Sequence, residues 1–223
     1  MSDFACSVTH SPARWSTSDV LMWKLVPEGW GGGKAYIQRF KDGWVTHHRA
    51  AIRVAARNQG FPPELLAGVC WIEVAGDPSG IDRLAFEVRA FDWSGPNWMD
   101  RHLTVTREPA KTSFGAVSMQ LRTAAHTLGL DPAELTGEQL RGLSTCLEND
   151  AFNIGLVVRH LRQIIDHDKL QTARPALSMD AVRVAGARYN RGLGLGLDSI
   201  RKNTSYGNFI VKFWPRLSAL LNA

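Results

Sequence analysis

The chain has 223 residues, 44% of them apolar and 21% charged, which is enough apolar content for one sizeable packed domain and argues against a disordered polymer. Lys and Arg outnumber Asp and Glu by 26 to 21, a formal charge of +5 that suits an anionic polymer. The arginines are scattered with no nucleic-acid motif among them, and no stretch approaches the about 18 continuous apolar residues of a membrane span, so neither nucleic-acid binding nor membrane insertion is expected.

The opening residues Met1-Ser2-Asp3-Phe4-Ala5-Cys6 lack a basic start followed by an apolar run, so no secretory signal is expected. Residues 1–45 carry Trp15, Trp23, Trp30 and Trp44, four of the eight tryptophans, and the turn Gly29-Trp30-Gly31-Gly32-Gly33. They read as a Trp-rich N-terminal arm with little regular structure, and 46–223 as the main domain.

A helix is expected over 45–58, closed by Gly60. Pro62-Pro63 opens the next, with Pro63 in its first turn, and the string Glu64-Leu65-Leu66-Ala67-Gly68-Val69-Cys70-Trp71-Ile72-Glu73 follows. Leu66, Cys70 and Glu73 are spaced by four and three residues and share a face. From 74 to 112 the pattern is broken by Gly76, Pro78, Gly80, Gly95, Pro96 and Pro109, too long a stretch for a plain connector. Extended pieces around 84–91 and 102–106 could pair there as a small hairpin.

Helices resume over 117–128, stopped by Gly129, and over 137–147. The clearest spans 150–166, with Ile154, Val157, Val158, Leu161, Ile164 and Ile165 in three-four spacing. Another covers 178–191, ended by Gly192-Leu193-Gly194-Leu195-Gly196, and a last amphipathic stretch over 209–221 is interrupted at Pro215. The expected fold class is mainly α with a small β-hairpin.

Cys6, Cys70 and Cys146 have no metal or redox spacing. Cys70 and Cys146 fall in apolar helical patterns and read as buried free thiols, with no disulfide framework. His47, His48, His160 and His167 lack partners at ligand spacing and read as exposed helix histidines. No metal and no other cofactor is expected.

Three strings carry candidate chemistry. Glu73, on the buried face of a helix, loses solvation, which raises a carboxyl pKa and favours the protonated form that glycosidic cleavage needs. The structural alternative is a helix-end glutamate paired with an arginine. In Ser113-Phe114-Gly115-Ala116-Val117-Ser118-Met119-Gln120, Gly115 permits close backbone approach and Gln120 can both donate and accept hydrogen bonds; a helix-start turn explains the same string. In Ala187-Arg188-Tyr189-Asn190-Arg191-Gly192, a phenol can orient an acid and Asn190 can hold an amide, or the pair simply closes a helix.

In this order the three strings resemble those of the lysozyme-like superfamily, especially lytic transglycosylases and goose-type lysozymes. The resemblance runs from about Arg49 to Gly194, with Asn153-Ile154 similar to a mostly structural pair in that family. Val74 stands where serine usually follows the acid. The turn before Gln120 is one residue shorter than the commonest version, and Ser118 replaces its usual glycine or leucine.

The resemblance implies cleavage of the β-1,4 bond between N-acetylmuramic acid and N-acetylglucosamine in peptidoglycan. Glu73 would be the catalytic acid, with Ser113, Gly115, Gln120, Tyr189 and Asn190 lining the substrate groove. A hydrolase would add a second carboxylate, Asp92 being favoured among Asp77, Asp82, Glu87, Asp92 and Asp100; a lytic transglycosylase would need only one. The arm's tryptophans would anchor it to the core or stack on sugar rings. With no export signal, the class implies an enzyme made in a bacterial cytoplasm and delivered to a target cell's periplasm and wall. Such an enzyme is a secreted antibacterial effector, for example of type VI secretion, with an immunity protein as inhibitor; a phage endolysin fits equally. The alternative is a non-catalytic peptidoglycan-binding or phage-structural module on the same scaffold.

Overall fold

The computed structural model describes residues 4, 6, 7, 15–75 and 111–223. Among these the chain is mainly helical, with one two-stranded antiparallel sheet. In chain order the elements are α1 (Thr17–Leu25), a 3-10 turn (Glu28–Trp30), α2 (Gly33–His47), α3 (Arg49–Asn58) and α4 (Pro63–Glu73). They continue with β1 (Ser113–Phe114), β2 (Met119–Gln120), α5 (Leu121–Leu128), α6 (Gly137–Leu147), α7 (Asp150–His167), α8 (Met179–Arg191), α9 (Leu197–Lys202) and α10 (Ser205–Asn222).

The described chain forms two compact units. The first takes Met1–Phe40 and Ala75–Asn153; the second takes Lys41–Val74 and Ile154–Ala223.

In the first unit, the stretch expected to have little regular structure carries α1 and the start of α2. A capping box starts α1: Ser16 accepts from the Asp19 amide, and the Asp19 carboxylate accepts from the Ser16 amide. The Tyr36 phenol donates to Asp19 at 2.6 Å and ties α2 to that cap. Trp15 is buried and packs edge-on against Phe40, with ring centroids 4.8 Å apart. The glycine cluster that reads as irregular chain is a turn between two helices, with Gly31 and Gly33 at φ of 85° and 63°.

Farther along the same unit, β1 and β2 pair Ser113 with Gln120 and Phe114 with Met119, and α5 follows without a break. Helix 117–128 therefore starts at Leu121, because Met119 and Gln120 belong to a strand. The hairpin expected within 84–106 lies outside the described residues.

Cys146 on α6 is not a free thiol; it is disulfide-bonded to Cys6 across 140 residues, with Cα atoms 5.0 Å apart. Phe4 lies on α6 where Gly142 leaves room, and the Asn149 side-chain amide donates to the Ser7 carbonyl at 2.9 Å. The partner cysteine sits in a segment without periodicity, so spacing within the chain gave no sign of the pairing.

The second unit is built around α4, whose residues Leu65 to Trp71 are all buried. Helix α10 crosses α4 closely: a Cβ on Gly68 would come 2.7 Å from Ile210. It crosses α8 more closely still, where a Cβ on Gly186 would stand 2.8 Å from the Gly207 Cα. The expected helix over 45–58 is two helices, α2 and α3, with a break at His48. Pro215, expected to interrupt the last helix, lies inside α10. Buried Ile210 before it and Leu217 and Leu221 after it hold the helix together despite the hydrogen bond that proline forfeits. Cys70 is buried and takes no part in a disulfide, as expected.

Candidate active site around Glu73

Glu73 is the last residue of α4. The helix forms because Pro63 fits its first turn and an unbroken apolar run fills the core on every side; it stops where Val74 turns extended and Ala75 takes φ of 67°. Val74 is itself buried. The acid therefore projects half-buried from the end of a fixed core helix.

Two aromatic helices meet it. The Tyr206 phenol on α10 donates to Glu73 Oε1 at 2.7 Å. Tyr189 on α8 lies beside Tyr206, with centroids 6.2 Å apart, and its phenol feels the Glu73 charge. The glycine contact of α8 with α10, at Gly186 and Gly207, is what allows one tyrosine from each helix to reach the same acid. Burial and the nearby carboxylate hold both phenols protonated, well above the ordinary tyrosine range.

Lys41 of α2 is buried, and its ammonium donates to the carbonyls of Trp71 at 2.9 Å and Ile72 at 2.7 Å. These are carbonyls of the last turn of α4, which a lysine side chain can cap. Burial pulls Lys41 down to about 8, partly opposed by the Glu73 charge. Burial pushes the Glu73 carboxyl above its ordinary value, while the Tyr206 hydrogen bond and the Lys41 charge restrain it. A carboxyl so placed is shifted toward its protonated form, the form that can release a proton to a bound oxygen.

The surroundings are well braced. The Trp71 indole N–H donates to Asp42 at 2.8 Å, and Arg216 forms an ion pair with the same carboxylate. Trp71 stacks against Phe209 and Phe213, at 5.4 and 5.6 Å between centroids. His160, expected to be an exposed helix histidine, is buried against Tyr189 at 5.8 Å, and desolvation lowers it to about 4. Its position on the apolar stripe of α7 was the available signal. Among the described residues no group of three His, Cys, Asp or Glu could hold a metal ion.

Of the residues singled out in the sequence, Glu73 and Tyr189 come together in the second unit. Asn190, next along α8, is exposed. Ser113, Gly115 and Gln120 belong to the first unit. There Gly115 has φ of 85° and leaves no room for a Cβ beside the Leu147 carbonyl and the Asn153 amide. The buried Asn153 accepts from the Val117 amide at 2.9 Å, so it fixes the hairpin turn. Gln120 is half-buried and its Oε1 accepts from Arg122 at 2.7 Å. Asp92 and the other acids of 77–100 lie outside the described residues.

Lys41 and Tyr206 are the site residues that sequence reasoning missed. Tyr206 lies 133 residues from Glu73 with no motif around it, and Lys41 lies on a helix that the sequence reading placed in the irregular arm. No family model, curated protein or solved structure matches the chain.

Proposed function

We propose that the protein cleaves the glycan strand of peptidoglycan at the β-1,4 bond between N-acetylmuramic acid and N-acetylglucosamine, with Glu73 as the general acid. The observation that carries this reading is the Glu73–Tyr206 pair: a half-buried carboxyl, pushed toward its protonated form by burial and aimed by a phenol at 2.7 Å. Its resemblance to the acid of lytic transglycosylases and goose-type lysozymes, in the order Glu73, Ser113 to Gln120, Tyr189-Asn190, supplies the substrate class. Glu73 protonates the leaving oxygen and the Tyr206 phenol aims its carboxyl; the resemblance alone would add Ser113, Gly115, Gln120, Tyr189 and Asn190 as residues that bind the sugars.

The Cys6–Cys146 disulfide supports a working place in an oxidising compartment, as expected for an enzyme delivered to the periplasm and wall of a target cell. An antibacterial effector of this kind would be held in check in its producer by an immunity protein covering the site. A second reading, a non-catalytic peptidoglycan-binding module, is favoured by one feature: buried Val74 stands where the family usually has a serine.

Mass spectrometry of purified sacculi digested with the protein separates these readings. Products ending in 1,6-anhydro-muramic acid identify a lytic transglycosylase, and reducing ends identify a hydrolase with a second carboxylate. Sacculus binding with no soluble product, where a control lysozyme is active, would replace the enzymatic reading with the binding module.

A further inference from the structure

An acid catalyst has two tasks that oppose each other. It must hold a proton until the leaving oxygen arrives, and it must then exist as a carboxylate to complete the reaction. Burial alone serves only the first. At the end of α4, two groups act in the second direction, and both are held by the fold independently of substrate.

We propose that Lys41 and Tyr206 are positioning residues that decide when Glu73 holds its proton and when it gives it up, Tyr206 by donating to the carboxylate and Lys41 by fixing an ammonium under the end of the helix that carries it. This rests on the glycosidase reading for its consequence in catalysis. Tyr206 bonds Oε1 at 2.7 Å. Lys41 does not depend on Glu73 for its place, because the Trp71 and Ile72 carbonyls hold its ammonium at 2.9 and 2.7 Å. A buried charge anchored to backbone stays where it is whether the acid is charged or neutral.

Among the described residues, the other titratable groups near this end of the unit leave that field largely to Lys41. Asp42, next to Lys41 on α2, is neutralised by Arg216 of α10 and by the Trp71 indole. His160 of α7 is neutral above about 4. Tyr189 of α8 stays a phenol, and Cys70, one turn before Glu73 on α4, is a buried thiol. Among the described residues, Lys41 is thus the cation that acts on the acid, and Tyr206 the donor that does. Both favour the carboxylate, and each keeps the acid from becoming too weak to deliver its proton.

The test is a carboxyl ¹³C NMR titration of Glu73 in the full chain, its resonance identified by its loss in Glu73→Gln, run beside the pH profile of sacculus lysis. Tyr206→Phe and Lys41→Met should each raise the Glu73 midpoint by about half a pH unit or more, and the alkaline limb of lysis with it. Lys41→Arg should keep the midpoint near that of the unaltered protein. An unmoved midpoint in folded Tyr206→Phe overturns the proposal, whether or not Lys41→Met folds. A shift in Lys41→Arg as large as in Lys41→Met overturns the role assigned to the lysine charge. If the midpoints move as expected while the unaltered protein releases nothing from sacculi, control of Glu73 stands and the glycosidase reading falls.

Discussion

The acid end of α4 and the hairpin Ser113–Gln120 solve different problems with similar means. At the hairpin a single buried amide, Asn153, fixes a backbone shape, and Gly115 supplies the one conformation the turn needs. At α4 the backbone is ordinary helix, and what is built is an electrostatic setting: burial raises the acid, and Tyr206 and Lys41 restrain it. The first is geometry held by a local hydrogen bond. The second is a pKa held by three helices distant in sequence. A substitution at the hairpin should therefore act on stability, whereas one at the acid should act on titration and chemistry.

That contrast can be broken at several points. The largest effect on stability is expected at the staple beside the hairpin: Cys6→Ser, or reduction, opens a loop of 140 residues and should cost about 2–5 kcal/mol, read as a lower urea midpoint that reductant no longer changes in the variant. Asn153→Ala leaves the buried Val117 amide without its acceptor and should cost about 1–3 kcal/mol by the same measurement. At the acid the sign reverses. The folded carboxyl of Glu73 titrates above its ordinary 4.5, so its contribution to stability is full below that value and is lost as pH rises through the folded one. Glu73→Gln should accordingly gain stability at neutral pH, read as a higher urea midpoint, and a loss there would mean that the carboxylate is held as a structural ion pair. A separate effect of pH concerns His160. Its folded value is depressed to about 4, so its contribution is present above 6.5 and is lost as pH falls through about 4. His160→Phe should flatten the stability profile between those limits, which thermal unfolding across pH would reveal.

Much of the helical frame was legible from local signals. Pro63, Gly129 and Gly192 mark a start and two stops because their backbone preferences act within one turn, and the apolar stripe of α7 needs only three-four spacing. Glu73 was legible for the same reason, as the end of an apolar run. The reading failed where distant chain decides the outcome. Cys6 meets Cys146 across most of the described sequence, Pro215 is carried within α10 by burial on both sides, and Tyr206 reaches Glu73 only because Gly186 and Gly207 let two helices touch. The glycine cluster near Trp30 misled because a turn between two helices has the same composition as an irregular arm. Trp15 and Trp44 are buried, while Trp30 is exposed.

The most direct measurement is release of soluble fragments from dye-labelled sacculi by the unaltered protein and by Glu73→Gln at equal concentration, with both shown to be folded. Loss of a general acid should slow release by about 10²–10⁴-fold while sacculus binding is retained. Equal release by the two proteins would contradict the role of Glu73 on which the functional reading stands.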